Sequence, residues 1–157
     1  MDNPVAQKFG NRIRLRACGV CVQGDGVLLI NHKGLYGHNF WAPPGGGVEF
    51  GEEAEYALKR EFFEECHSEI AVGGFLFACE FVRPPLHALE LFFEVKLLAS
   101  PRLGHDPELG AGQIISELKF MEAPQLKLLK PNHLHGIFEK TRNPPEIRLL
   151  KGFFKIA

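Results

Sequence analysis

Three consecutive glycines, Gly45 to Gly47, are followed within twenty residues by Glu52, Glu53, Arg60, Glu61, Glu64 and Glu65. The spacing predicts a helix from about Glu53 to Cys66, entered through Gly51, with Glu52 and Glu53 near its positive N-terminal end. On such a helix Ala54, Leu58, Glu61 and Glu65 share one face, flanked by Ala57 and Phe62. Two glutamates therefore interrupt an apolar stripe, where a solvent-coating role is not expected of them. Paired carboxylates in such a place repel each other unless a cation compensates, and oxygen donors suit a hard divalent ion, Mg²⁺ or Mn²⁺, better than zinc. Glu64 lies at the edge of the stripe, and Arg60 can pair with it at i+4.

A second group with chemical potential is Arg12, Arg14 and Arg16, which alternate with Ile13, Leu15 and Ala17. This is the pattern of a half-buried strand with one basic face. If the strand borders the site, Arg14 and Arg16 are candidates for substrate phosphate contacts. Cys18 and Cys21 form a Cys-x-x-Cys, but they fall on the strand expected from Ile13 to Val22. Residues three apart on a strand point to opposite faces and cannot easily chelate one ion, so buried thiols in a reducing compartment are the better reading.

From Gly46 onward the sequence resembles the Nudix hydrolase family, whose box reads Gly-x5-Glu-x7-Arg-Glu-U-x-Glu-Glu-x-Gly-U, with U a bulky aliphatic residue. Gly46, Glu52, Arg60, Glu61, Phe62, Glu64 and Glu65 occupy its positions, and Trp41 with the Pro-Gly-Gly-Gly run resembles the usual lead-in. His67 stands at the second box glycine and Ser68 at the last aliphatic position, which predicts a different exit from the helix.

The resemblance implies attack of water on a phosphorus atom of a nucleoside diphosphate linked to another group. It makes Glu61 and Glu65 ligands of Mg²⁺ or Mn²⁺, with Glu64 the third box carboxylate and the Gly45 carbonyl a further ligand. Arg60 orients the carboxylates, and Gly46 belongs to the substrate-facing turn. The general base is Glu64, Glu108 or Glu117. Pro84, sixteen residues past Ser68, matches a family position associated with ADP-ribose-type substrates, while a Pro-Pro pair between two strands also suits a plain turn. A nucleotide sugar fits the same reading. A nucleoside triphosphate, including an oxidised one, is the alternative, as is a non-catalytic regulator that binds a nucleotide. Tyr36, Phe40 and Phe81 could stack on a base or fill the core.

The elements that must position these groups are mostly strands. A hairpin is expected from Ala17 to Asn31 around Gly24-Asp25-Gly26, then a loop from His32 to Phe40. Strands are expected at Ile70 to Val82, Ala88 to Leu98 and Ile114 to Met121. The stretch from Ser100 to Gln113, which holds Glu108, reads as a long mobile loop. Short helices at Pro124 to Leu129 and Asn132 to Lys140 and an edge strand within Ile147 to Ile156 complete the chain. The resulting class is α/β with a mixed sheet, in one domain, and the resemblance implies the α/β/α sandwich of the Nudix hydrolases.

At 157 residues and 45% hydrophobic composition the chain suits a single core. A net charge of −1 gives no global pull toward nucleic acid or a membrane, so phosphate binding must be local. No stretch approaches a membrane span or a signal pattern, which makes the cytoplasm the expected location. The expected partner is a small nucleotide. The apolar run Leu149 to Phe154 could form core or a homodimer surface.

Overall fold

A computed structural model describes residues 4–105, 107 and 115–156. A short helix α1 (Pro4–Phe9) precedes β1 (Arg12–Val20), β2 (Val22–Gln23) and β3 (Gly26–Asn31). Then follow α2 (Lys33–Tyr36), β4 (Trp41–Ala42), β5 (Gly45–Gly47) and the acidic helix α3 (Ala54–Cys66). The second half contains β6 (Ile70–Arg83), β7 (Leu86–Leu97), β8 (Glu117–Glu122), α4 (Ala123–Leu128), α5 (Pro144–Ile147) and β9 (Gly152–Ile156).

Two sheets form among the described residues. The larger is mixed, in the order β5-β1-β7-β6-β9, with β1 parallel to β7 and β6 parallel to β9. In the smaller, β3 pairs β8 along its whole length, and β2 and β4 at its two ends. The expected hairpin is therefore shorter than Ala17 to Asn31, because β1 joins the larger sheet and only β2 folds back on β3. Cys21 marks the switch, its carbonyl still accepting from the Leu28 amide.

The core has two main parts. Ala17, Cys21, Leu28 and Ile30 pack with Ala57, Leu58, Phe62 and Cys66 of α3, while Cys18, Val20, Phe77 and Phe92 pack with Leu126, Ile137 and Ile147. Cys18 and Cys21 thus fall on opposite sides, as strand alternation requires, and all four cysteines are free and buried.

Several expectations change in detail. Asn132 to Lys140 forms two 3₁₀ turns, Pro131–His133 and Gly136–Glu139, instead of one helix. Between them Leu134 is extended and bridges Trp41. The C-terminal segment begins as α5 and becomes a strand only at Gly152, with Leu150 and Phe154 packed on the core and Leu149 and Phe153 exposed. No helix among the described residues is long and apolar enough to cross a membrane.

The helix exit corrects an expectation. His67 adopts the left-handed conformation at φ 50° and ψ 34°, and its amide donates to the Phe63 carbonyl, so it performs the turn expected of glycine. Beyond it, the amides of Arg102, Gly104 and His105 donate to the carbonyls of Cys66, Glu65 and Glu64. These carbonyls belong to the last turn of the helix and have no partner within it. The segment after β7 is thereby strapped to the end of α3.

Candidate functional site

Helix α3 buries Ala57, Leu58, Phe62 and Cys66 and, on the same side, Glu61 and Glu65. The two carboxylates meet the glycine turn. Strand β5 pairs β1 with Gly45 opposite Cys18, Gly46 opposite Ala17 and Gly47 opposite Arg16. The Gly45 amide donates to Glu65 Oε1 at 3.3 Å. At Gly46 an added Cβ would lie 2.2 Å from Cδ of Glu61, so the absent side chain leaves the space that the carboxylate fills.

Arg60 clips the turn to the helix. Its Nε and Nη2 donate to both oxygens of Glu52 at 2.9 Å, Nη1 donates to Glu61 at 2.9 Å, and Nη2 also reaches the Gly47 carbonyl at 3.0 Å. The expected pairing with Glu64 is present but longer, 3.4 Å. Glu52 is therefore the main partner, because the bidentate fork matches the guanidinium geometry. The Arg60 hydrogen bond holds the Glu52 carboxyl below its ordinary pKa.

The carboxylates open on a cavity lined by Gly45, Gly46, Gly47, Glu61 and Glu65, then by Arg14, Arg16 and Glu90, with Tyr36, Phe40, Phe81 and His135 around it. Strand β1 presents an inverted pattern there. Ile13 and Leu15 are exposed, at 66% and 42%, while Arg14 and Arg16 turn inward and line the cavity. Arg14 stacks on Phe9, its guanidinium carbon 3.8 Å from the ring centre. Arg16 forms a short ion pair with Glu90 through Nη1, and its Nη2 lies 3.4 Å from the Gly45 carbonyl.

Glu90 and His135 escaped the sequence reading. Glu90 is only 3% exposed, on β7 directly opposite Arg16, and also receives His135 Nε2 at 2.7 Å. The Ile137 amide donates to His135 Nδ1, which places the ring proton on Nε2, facing Glu90. Burial alone would push the Glu90 carboxyl up, but His135 and Arg16 outweigh it and hold it at about 2. Burial likewise works against the Arg16 charge, and Cys18, Glu90, Glu65 and Glu61 together raise its pKa. His32 is pressed down to about 4 by burial and by Arg16, so its imidazole is neutral at neutral pH. The signal for Glu90 in the sequence was an acid between Leu89 and Leu91, in phase with the buried Ala88 and Phe92 of the strand.

Other sequence candidates fall elsewhere. Glu117 starts β8, receives the Asn31 side chain at 3.4 Å and is not in the cavity wall. Pro84 is exposed at the turn between β6 and β7, also outside the lining. Glu64 is half-buried at the edge of the carboxylate group. Glu108 lies outside the described residues.

Among the described residues no three His, Cys, Asp or Glu side chains already converge as a complete metal cage. The oxygen donors that meet at the glycine turn and could hold an ion are Glu61, Glu65 and the Gly45 carbonyl. Such an all-oxygen, partial set fits Mg²⁺, which is commonly held by one or two carboxylates together with water and substrate phosphates.

The model of the NUDIX domain matches residues 13–139 of the chain. A curated RNA pyrophosphohydrolase from Edwardsiella ictaluri is 44% identical over 46 residues, a match that covers 26% of each chain. The alignment thus spans about a quarter of that relative's length. Among solved structures, a MutT NUDIX hydrolase from Burkholderia pseudomallei superposes with a TM-score of 0.64 at 21% identity, covering 76% of this chain and 89% of the other. A UDP-X diphosphatase gives 0.63 at 18%, covering 90% and 67%. An ADP-ribose pyrophosphatase from Streptococcus suis gives 0.60 at 15%, covering 90% and 98%. At these identities the likeness is one of fold.

Proposed function

The chain belongs to the NUDIX domain family, and we propose that it is one such domain throughout, a Mg²⁺-dependent pyrophosphatase acting on a nucleoside diphosphate linked to another group. The observation that carries this reading is the convergence of two buried glutamates, Glu61 and Glu65, with the Gly45 to Gly47 turn in a cavity whose lining also presents two inward arginines against that turn. Like charges placed side by side in a poorly hydrated wall are costly without a cation. Inward arginines beside them carry the charge-assisted donors that phosphate oxygens need. A metal diphosphate engages both groups at once.

In this reading Glu61, Glu65 and the Gly45 carbonyl hold the ion, with Glu64 beside them, and Mn²⁺ substitutes for Mg²⁺. When bound, the ion neutralises the diphosphate and lowers the pKa of the attacking water. Arg60 keeps Glu61 and the glycine turn in register through Glu52 and Gly47. Arg14 and Arg16 bind phosphate oxygens, and Gly46 lets the diphosphate approach the backbone. Glu64, half-buried at the edge of the cluster, takes the proton from water; Glu117 is drawn aside toward Asn31. Tyr36, Phe40 and Phe81 line the cavity and form its aromatic surface toward a base. Buried free thiols suit a reducing compartment, and we place the protein in the cytoplasm.

The experiment is a substrate panel with Mg²⁺: ADP-ribose, nucleotide sugars, dinucleoside polyphosphates and nucleoside triphosphates, with products resolved by anion exchange. Cleavage of ADP-ribose or a nucleotide sugar is expected. Preferential cleavage of triphosphates would move the protein to the triphosphate reading. Binding without products would make it a regulator.

A further inference from the structure

We propose that Glu90 and His135 are positioning residues for substrate phosphate, acting through Arg16. The inference rests on the metal diphosphate reading of the cavity, and it assigns a purpose to a buried charged network that the box residues do not use.

The geometry forms a chain. The Ile137 amide donates to His135 Nδ1 at 3.1 Å, His135 Nε2 donates to Glu90 Oε1 at 2.7 Å, and the other Glu90 oxygen receives Arg16 Nη1. Each link fixes the orientation of the next, and the first is anchored in backbone. At the far end Arg16 Nη2 faces the Gly45 carbonyl, so the guanidinium is held against the glycine turn.

One nitrogen of this guanidinium stands apart: Arg16 Nε is buried and has no hydrogen-bond partner. A buried unpartnered donor on a cation is unfavourable in a resting fold, and in native structures it calls for a completing partner, a ligand, an ion or an ordered water. The remaining buried side-chain nitrogens without a hydrogen-bond partner among the described residues are His32 Nδ1 and His87 Nε2, the latter 3.6 Å from Glu80, and both of these residues line the same cavity. The unmet polar groups therefore collect in one place.

A purely structural role accounts poorly for the arrangement. A structural strand would bury Ile13 and Leu15 and expose its arginines, the reverse of what β1 does. Burying an Arg-Glu-His chain is also no aid to stability compared with apolar packing. Its use is to fix one cation beside Glu61 and Glu65, in a place where an oxygen of a metal diphosphate would arrive.

The test is a double-mutant cycle read by calorimetric binding of ADP in saturating Mg²⁺. Arg16→Ala and Glu90→Gln should each weaken binding by about tenfold or more, the loss of one charge-assisted contact. Because Glu90 acts through Arg16, the double variant should bind within about twofold of Arg16→Ala alone. Multiplicative losses would overturn the proposal, as would Glu90→Gln binding like wild type or wild type failing to bind ADP. If circular dichroism shows Glu90→Gln unfolded, the cycle is run with His135→Ala. His135→Gln, whose amide can still donate to Glu90, should recover most of the affinity; recovery by neither glutamine nor asparagine at 135 would count against positioning. A wild type that binds Mg²⁺-ADP and cleaves nothing in the panel fails the hydrolase reading and leaves this one standing.

Discussion

The Arg60 guanidinium grips both oxygens of Glu52 at 2.9 Å while its remaining nitrogen holds Glu61 at the same distance. One side chain thus joins the loop before α3, the glycine turn and a proposed metal ligand. Lysine keeps the charge but cannot fork. Arg60→Lys should lower kcat by about 10–100-fold, the usual cost of disturbing a group that orients a ligand, with only a small change in melting temperature. Steady-state kinetics beside thermal unfolding would check this, and unchanged kcat would remove Arg60 from the orienting role.

Glu61→Gln and Glu65→Gln should each abolish turnover without loss of fold. Removing one of two neighbouring buried charges relieves repulsion, while Glu61→Gln also weakens the Arg60 ion pair, so in metal-free buffer the melting temperature should hold or rise for Glu65→Gln and stay near wild type for Glu61→Gln. Activity assays with Mg²⁺ and thermal scans in EDTA test the two halves separately. Near wild-type turnover in either variant would sink the metal assignment.

Two glycines separate activity from stability. A Cβ at Gly46 would meet the Glu61 carboxylate at 2.2 to 2.5 Å, the far end of a side chain that can move. A Cβ at Gly104 would stand 1.9 Å from the Glu64 backbone carbonyl, which cannot move without distorting the helix end. Gly46→Ala should therefore lose most activity with modest destabilisation. Gly104→Ala should cost about 2 kcal/mol or more in a denaturant melt, the usual range for forced overpacking.

The acidic helix was legible in the sequence because its geometry is local: a period of 3.6 places Glu61 and Glu65 among Ala57, Leu58 and Phe62 without knowledge of anything else. The mixed α/β class followed from strand patterns around it. The Arg16, Glu90 and His135 chain was not legible, because Arg16 and Glu90 are 74 positions apart and His135 lies 45 further on. They meet only through the parallel pairing of β1 with β7 and a 3₁₀ turn after Leu134, and alternation alone does not say which face of β1 is covered. Helix α1 was missed for a related reason: with six residues it carries little periodic signal, and its burial comes from Leu35, Leu86 and Ile115. At the helix exit His67 takes the backbone conformation of the glycine it replaces, which residue type alone argues against.

That exit should be improvable. Left-handed backbone costs a non-glycine residue about 1 kcal/mol, partly offset by the extra entropy glycine brings to the unfolded chain. His67→Gly should therefore stabilise the fold by less than about 1 kcal/mol and leave kcat unchanged, since the imidazole is exposed and outside the cavity lining. Equilibrium unfolding would check it, and a clear loss of stability would mean that the histidine side chain contributes to the exit.

Glu90 should give the protein a distinct acid sensitivity. Its carboxyl is held at about 2 in the fold, against 4.5 as its ordinary value. Between these values the unfolded chain binds a proton there that the folded chain does not, so acid favours unfolding. The contribution is complete above pH 4.5 and disappears as pH falls through about 2. Its size is on the order of 3 kcal/mol from the pKa difference. Glu90→Gln has no such proton to bind. It should be less stable than wild type at pH 7, where it leaves Arg16 buried with a weakened partner, and the gap should narrow steadily below pH 4.5. Urea unfolding of both proteins at pH 7, 5, 4 and 3 measures that gap. A gap constant with pH would mean that Glu90 is not held ionised by Arg16 and His135, and would leave the buried chain without its electrostatic basis.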